Sequence, residues 1–443
     1  MKVVTRRVWA GATFLLLLLV LHPKAVAVPS YARQTGLACN TCHNNPPELT
    51  SFGRKFKLNG YSMVDLKPDA TVDGTNLKIT RYFPLSAMII VSDAGTSKKQ
   101  DGTQNGSVQF PQALSLFLSG EIAPHFGGFL QATYSHQDDH FGLDNTDLRY
   151  TQVKHLGSKE LIYGVTLNNN PTVEDLWGST PAWGYPWVAP SGTPTPSASP
   201  LLAGGLAQDV AGLGAYTMWN DHLYLGATAY RSEHAGGNQP VDGAGFPINV
   251  QGVAPYWRAA WQQDFGSNYF MVGTYGIVVS TTPNAVTGPR DHFTDPAVDM
   301  QYERPFGPNL LTAHASYTRE NSDLAATFAA GGADFAKHHL DAVKADVNFH
   351  IHERWRLTGA GFSTTGTKDS TLFAAAPTSG SATNSPDSAG YIGQAGFWAT
   401  QNIELSFQYT GYTKFNGGTT NYDGSGRNAS DNNTAYVSLW FTY

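Results

Sequence analysis

Cysteine is nearly missing from this chain: Cys39 and Cys42 are the only two among 443 residues. With no second Cys/His pair at similar spacing, a structural zinc site is excluded. Long apolar runs are missing too once the first 27 residues are passed, which excludes helical membrane spans. A basic excess is also lacking, with 28 Lys and Arg against 34 Asp and Glu. Four of the basic residues fall in the first 27, so residues 28–443 carry 24 basic against 34 acidic residues, a formal −10. That balance argues against nucleic acid as a partner. No hydrolase nucleophile motif, phosphate loop or H-E-x-x-H zinc helix is present.

What is present begins with an export signal. Lys2, Arg6 and Arg7 precede an apolar run from Val8 to Leu21, closed by Ala25-Val26-Ala27. This pattern reads as a cleaved signal peptide over residues 1–27. The run is shorter than the roughly 20 residues that a membrane anchor needs.

Beyond it the composition is distinctive: 46 Gly, 23 Phe, 21 Tyr and 10 Trp with only 14% charged residues. A chain rich in glycine and aromatics, without membrane helices, suits a transmembrane β-barrel; a soluble sandwich or solenoid is the plainer alternative. Period-two alternation marks the strands, and the rhythm of their connections separates barrel from sandwich. Leu223, Leu225, Ala227 and Ala229 oppose Tyr224, Gly226, Thr228 and Tyr230, and Val343, Ala345 and Val347 oppose Lys344, Asp346 and Asn348. Such segments start near residues 77, 108, 127, 144, 159, 208, 222, 252, 268, 293, 309, 338, 354, 389, 402 and 433. The expectation is an all-β, antiparallel transmembrane barrel of about 16 strands over 76–443, preceded by a small segment over 28–75.

The connections carry the same message. Tight turns, such as Asn220-Asp221, Gly266-Ser267 and Gly307-Pro308, alternate with long loops rich in Gly, Ser, Asn and Pro. Short periplasmic turns and longer external loops are the asymmetry of outer-membrane barrels. The third long loop, about 170–207, is Pro- and Trp-rich, with Trp177, Trp183 and Trp187. In porins such a loop often folds inward as a constriction; otherwise it is a surface excursion. Alternation in Tyr436-Val437-Ser438-Leu439-Trp440-Phe441-Thr442-Tyr443 resembles the terminal strand by which these barrels are recognised for insertion.

Within the small segment, Cys39-Asn40-Thr41-Cys42-His43 is the C-x-x-C-H pattern of covalent haem c attachment. Two thiols can form thioethers to the haem vinyl groups, and the adjacent imidazole of His43 then becomes the proximal iron ligand. A short-range disulfide is the competing reading; export favours haem. So short a segment builds little core of its own, so it must borrow packing, which plugging the barrel lumen would provide.

The surrounding residues, Pro29-Ser30-Tyr31-Ala32-Arg33-Gln34-Thr35-Gly36-Leu37-Ala38 before the motif and Pro47-Glu48-Leu49, Phe52-Gly53-Arg54-Lys55-Phe56-Lys57 and Gly60-Tyr61 after it, resemble the fused outer-membrane monohaem cytochrome c-porin family of iron-oxidising bacteria. The specific similarity covers roughly residues 28–63; over the barrel it is architectural. The resemblance implies one covalent haem c in the bacterial outer membrane. It also implies ferrous iron as external electron donor, and a periplasmic c-type cytochrome or another carrier as acceptor. It makes the chain an iron oxidase acting by outer-sphere electron transfer. The alternatives are a diffusion porin with a haem-bearing plug or redox-sensing segment, and a conduit for a different donor or acceptor. A conduit has its own physical motive, since about 30 Å of hydrocarbon is too far for one efficient electron step.

For the second axial position Met63 is the methionine of the small segment, with His350 of the barrel and an open position as rivals. Arg33, Arg54, Lys55 and Lys57 are candidates to pair with haem propionates or with lumenal carboxylates such as Asp346. His136, Asp138, Asp139 and His140 form an external cluster whose donors suit ferrous iron, though ordinary loop polarity accounts for it as well.

Overall fold

The computed structural model describes residues 29–37, 39–44, 48–62, 70–71, 78–79, 84–136, 139–179, 193–233, 248–283, 285–352 and 354–443. The expected signal segment, Met63 and Asp138 lie outside them.

Sixteen antiparallel strands form one closed ring. They are β1 (Leu85–Thr96), β2 (Val108–Ala123), β3 (Phe126–Ser135), β4 (His140–Leu156), β5 (Lys159–Asn168), β6 (Val210–Trp219), β7 (Leu223–Ser232), β8 (Ala254–Phe265), β9 (Asn268–Thr282), β10 (Asp291–Phe306), β11 (Asn309–Asp323), β12 (Lys337–Ile351), β13 (Trp355–Gly366), β14 (Ser388–Thr400), β15 (Ile403–Lys414) and β16 (Thr434–Thr442). Each pairs with its sequence neighbour, and β16 pairs back onto β1 through Thr434↔Thr96 to Thr442↔Met88. Closure leaves no edge with unpaired backbone groups, the condition for a sheet to sit in apolar surroundings. The alternation-based reading errs at one strand: the first begins at Leu85 rather than near 77, and Lys78–Ile79 pairs instead with Ala70–Thr71.

The two faces sort as the alternation requires. Along β7, Leu223, Leu225, Ala227 and Ala229 are exposed on the outside, while Tyr224, Thr228 and Tyr230 are buried within. Val343, Ala345 and Val347 of β12 likewise point out, and Asp346 and Asn348 point in. The outside is therefore an apolar belt in which even Leu213 is 66% exposed. Exposed aromatics border it at both ends: Phe265, Phe306 and Trp355 beside the short turns, Phe110, Phe141 and Tyr391 toward the long loops. Strands of 9 to 17 residues are long enough, when tilted, to cross an apolar layer of about 30 Å. Among the described residues no helix is long and apolar enough to cross a membrane.

All the short turns lie at one end. Asn220 (φ 49°) and Asp221 (φ 57°) take successive left-handed conformations in the tight turn where His222 N donates to Trp219 O (2.9 Å), a backbone geometry that Asn and Asp tolerate. The long connections lie at the other end. Three helices, α1 (Ser30–Thr35), α2 (Cys39–Cys42) and α3 (Ser51–Leu58), dock on inward-facing wall residues toward the short-turn end; this docked segment stands at the place of the expected plug and carries that label.

Candidate functional site

The plug folds around its own motif. Cys39 opens α2, and His43 bridges to Leu49, so that Asn44 N donates to Glu48 O (3.0 Å) and Thr50 N to Cys42 O (2.9 Å). Thr50 then caps α3: its hydroxyl accepts from Gly53 N (3.1 Å) and donates to Thr41 O (2.6 Å). This is the N-cap role for which threonine is suited. Gly53 is obligatory in this arrangement, since a Cβ there would lie 2.2 Å from Cys42 O. The glycine lets α3 pack directly on the backbone of Cys42.

The barrel wall meets the plug with equal closeness. A Cβ on Gly127 of β3 would stand 1.9 Å from Gly60 O. Ser30 Oγ and Gln34 Nε2 both donate to Ser119 O (2.7 and 3.0 Å), Tyr31 OH donates to Gly128 O (3.2 Å), and Arg33 donates to Leu85 O. Thr151 and Tyr216 hydroxyls donate to Leu58 O (2.9 and 2.8 Å), ending α3 against β4 and β6. Leu58 enters an apolar cluster with Ile162, Leu176, Trp177, Met218, Tyr224 and Met271. The small segment thus borrows its core from the barrel, as its length demands.

The basic residues around the motif are spoken for by the lumen. Arg54 pairs with Glu303 at 2.9 Å, both nearly buried, and lies 4.4 Å above the Tyr269 ring. Lys55 pairs with Glu160 at 2.9 Å at a half-exposed position. Lys57 Nζ donates to Val173 O and to Asp175 O (3.3 Å). Burial, reinforced by the charge of Arg149, lowers its pKa to about 8. Asp346 is not the partner that the sequence suggested. It accepts from Asn348 Nδ2 (2.7 Å) and stands 3.6 Å from His314, on β12, two strands along the ring from the β10 that carries Glu303.

The third long loop folds inward. Its described parts, 169–179 and 193–209, begin with α4 (Pro171–Glu174), capped by Asn170. Trp177 is fully buried; its Nε1 donates to Tyr269 OH (2.8 Å), and Arg258 stacks 4.7 Å from its ring. Ser179 donates to Asp299. Farther along, the backbone amides of Leu201 and Leu202 donate to Glu320 and Asp295 (2.7 and 2.8 Å), and Ser197 reaches Asn416 (3.0 Å). The described segments of the loop thus turn inward rather than away from the barrel. Lys57 also ties this loop to the plug, so the two segments meet within the lumen.

Between plug and wall lies a cavity. Cys42, His43, Leu49, Gly53 and Phe56 bound it from the plug; Met88, Phe117, Phe129, Trp398 and Trp440 bound it from the barrel; Val173 and Leu176 of the loop cover it. Trp398 and Trp440 pair there with ring centroids 5.4 Å apart, beside the short-turn mouth. A cysteine sulfur, an imidazole and an otherwise largely apolar lining fit a covalently tethered macrocycle with a metal at its centre. His350 does not bound this cavity; it lies on β12. Met88, which does, escaped the sequence reading because nothing local marks it: only the closure of β16 onto β1 carries it to the motif.

The external His/Asp cluster is loosely assembled. His136, Asp139 and His140 are exposed, and Asp139 accepts from Tyr134 OH at 2.6 Å. Among the described residues no group of three or more His, Cys, Asp or Glu is placed to hold a metal ion.

No protein-family model matches the chain, and no curated protein matches it. Solved structures of similar shape are outer-membrane proteins. One is Salmonella typhi OmpF in complex with daunomycin, at 13% identity and TM-score 0.49, covering 82% of this chain and 98% of that one. The outer membrane channel DcaP of Acinetobacter baumannii has 12% identity and TM-score 0.46, covering 81% and 96%. Pseudomonas putida OprB has 9% identity and TM-score 0.46, covering 81% and 94%. The assignment of this chain as a porin-like barrel rests on its own closed ladder of sixteen strands.

Proposed function

We propose that this chain is an outer-membrane cytochrome-porin that takes electrons from external ferrous iron and hands them to a periplasmic c-type cytochrome or another carrier. The observation that carries the reading is the placement of Cys42 and His43 on a cavity inside a closed barrel whose outer belt is apolar. Bound there, haem c would supply a one-electron ferric/ferrous couple. Cys39 and Cys42 would hold it by thioethers, and His43 would be the axial ligand. The docked segment and the third long loop, which bound the cavity, would shield it from bulk water. The Trp398–Trp440 pair borders the cavity on the short-turn side, where an electron would leave for a periplasmic carrier. Each ferrous ion oxidised outside gives up one electron and each carrier gains one, so the step needs no proton and no bond to form or break. The loose His136–His140 cluster suits passing encounters with iron better than storage.

Purified protein in proteoliposomes tests this reading. External ferrous iron should reduce the haem and then an enclosed cytochrome, with little ionic conductance. A haem that stays oxidised while ions pass freely would establish the diffusion porin instead. Reduction by other donors but not by ferrous iron would establish a conduit with a different substrate.

A further inference from the structure

We infer that Met88 is the second axial ligand of the haem iron; the inference rests on the haem c reading above and deepens it. The argument starts from who could ligate. Thioether, imidazole, amine and phenolate are the side chains that bind haem iron opposite a histidine. Among the described residues bounding the cavity, these are Met88, Lys57, Tyr31 and Tyr61 beside His43 itself. Three of them have their donor atoms engaged: Lys57 Nζ on Val173 O and Asp175 O, Tyr31 OH on Gly128 O, Tyr61 OH on Asp147 Oδ2. Met88 has a soft thioether with no competing hydrogen bond of any strength to give up.

Placement supports the same choice. His43 belongs to the plug and Met88 to the wall, on β1 opposite Ser115 of β2 and Thr442 of β16. A flat group held in this cavity, bounded by the plug on one side and the wall on the other, could take one ligand from each. Met88 is 7% exposed and inward-facing. Of the other described methionines, Met218 and Met271 are packed in the apolar cluster around Trp177, and Met300 points outward at 46% exposure. Joining plug to wall through the iron would also make docking depend on the metal, a coupling that an axial pair confined to one short segment would not give.

Spectroscopy of the purified holoprotein tests the assignment without any iron-oxidation assay. The haemochrome formed in alkaline pyridine first establishes whether haem c is attached. The wild-type ferric protein should then show the near-infrared methionine-to-iron charge-transfer band in a low-spin spectrum. Met88→Leu, close in volume and so tolerable in packing, should abolish that band, turn the ferric haem high-spin and lower the midpoint potential, because methionine ligation raises it. Met88→His should restore a low-spin spectrum of bis-histidine type, still at lowered potential. Persistence of the band in Met88→Leu overturns the inference and leaves the haem c reading standing. So does loss of the band in Met63→Leu instead, or a wild-type spectrum without it. A missing haemochrome overturns both.

Discussion

Arg54 and Lys55 are neighbours in sequence, each 2.9 Å from a barrel carboxylate, yet they contribute very differently. The Arg54–Glu303 pair is buried, so Glu303→Ala strands a desolvated guanidinium and should cost about 3–5 kcal/mol of plug docking. Lys55–Glu160 is partly in water, where such pairs contribute about 0–1 kcal/mol, so Glu160→Ala should be nearly silent. Urea titration of protease access to the plug measures both. Lys57 adds a pH dependence. Its docked pKa of about 8 lies below the ordinary lysine value, so between the two the docked form binds fewer protons than the released form. Docking should therefore strengthen as pH rises through that window. The same titration run across pH should show that slope, and Lys57→Met should flatten it.

Among elements, the plug and the third long loop are the two that depart from the barrel's regularity, and each is fixed by close approach. Gly127→Ala would set a methyl group against Gly60 O, and overpacking of this kind costs about 1–3 kcal/mol. The expected result is a plug that dissociates at lower urea while the strands keep their heat-resistant fold. Strand positions were legible in the sequence because period-two alternation is local, and Leu223 to Tyr230 shows both faces within eight residues. The first strand was misplaced because alternation also runs through Lys78–Ile79, and only pairing partners tell a barrel strand from a short side ribbon. The plug's docking residues carried no such signal. Gly127 and Ser119 read as ordinary strand positions, and their role appears only when α1 and α3 lie against them.

At the scale of the whole molecule two segments dock on the inner wall: α1 to α3 near the short turns, and the third long loop, which reaches from the opposite end as far as Tyr269 through Trp177. The two meet at Lys57. Removing residues 29–62 should therefore leave planar-bilayer conductance well below that of an open sixteen-strand pore. Removing the plug together with residues 171–207 should raise it to open-pore size. A full opening with the plug alone removed would show that the loop does not constrict.

The sequence by itself determined the barrel's strand number, its inner and outer faces, and the alternation of short turns with long loops. All of these follow from local spacing, which needs no knowledge of distant residues. The tertiary structure decided which wall the motif faces, that Glu303 and Glu160 rather than Asp346 receive its basic residues, that the third loop turns inward, and that Met88 shares a cavity with His43. Those contacts join positions tens to hundreds of residues apart. Only ring closure and the register of sixteen paired strands bring them together.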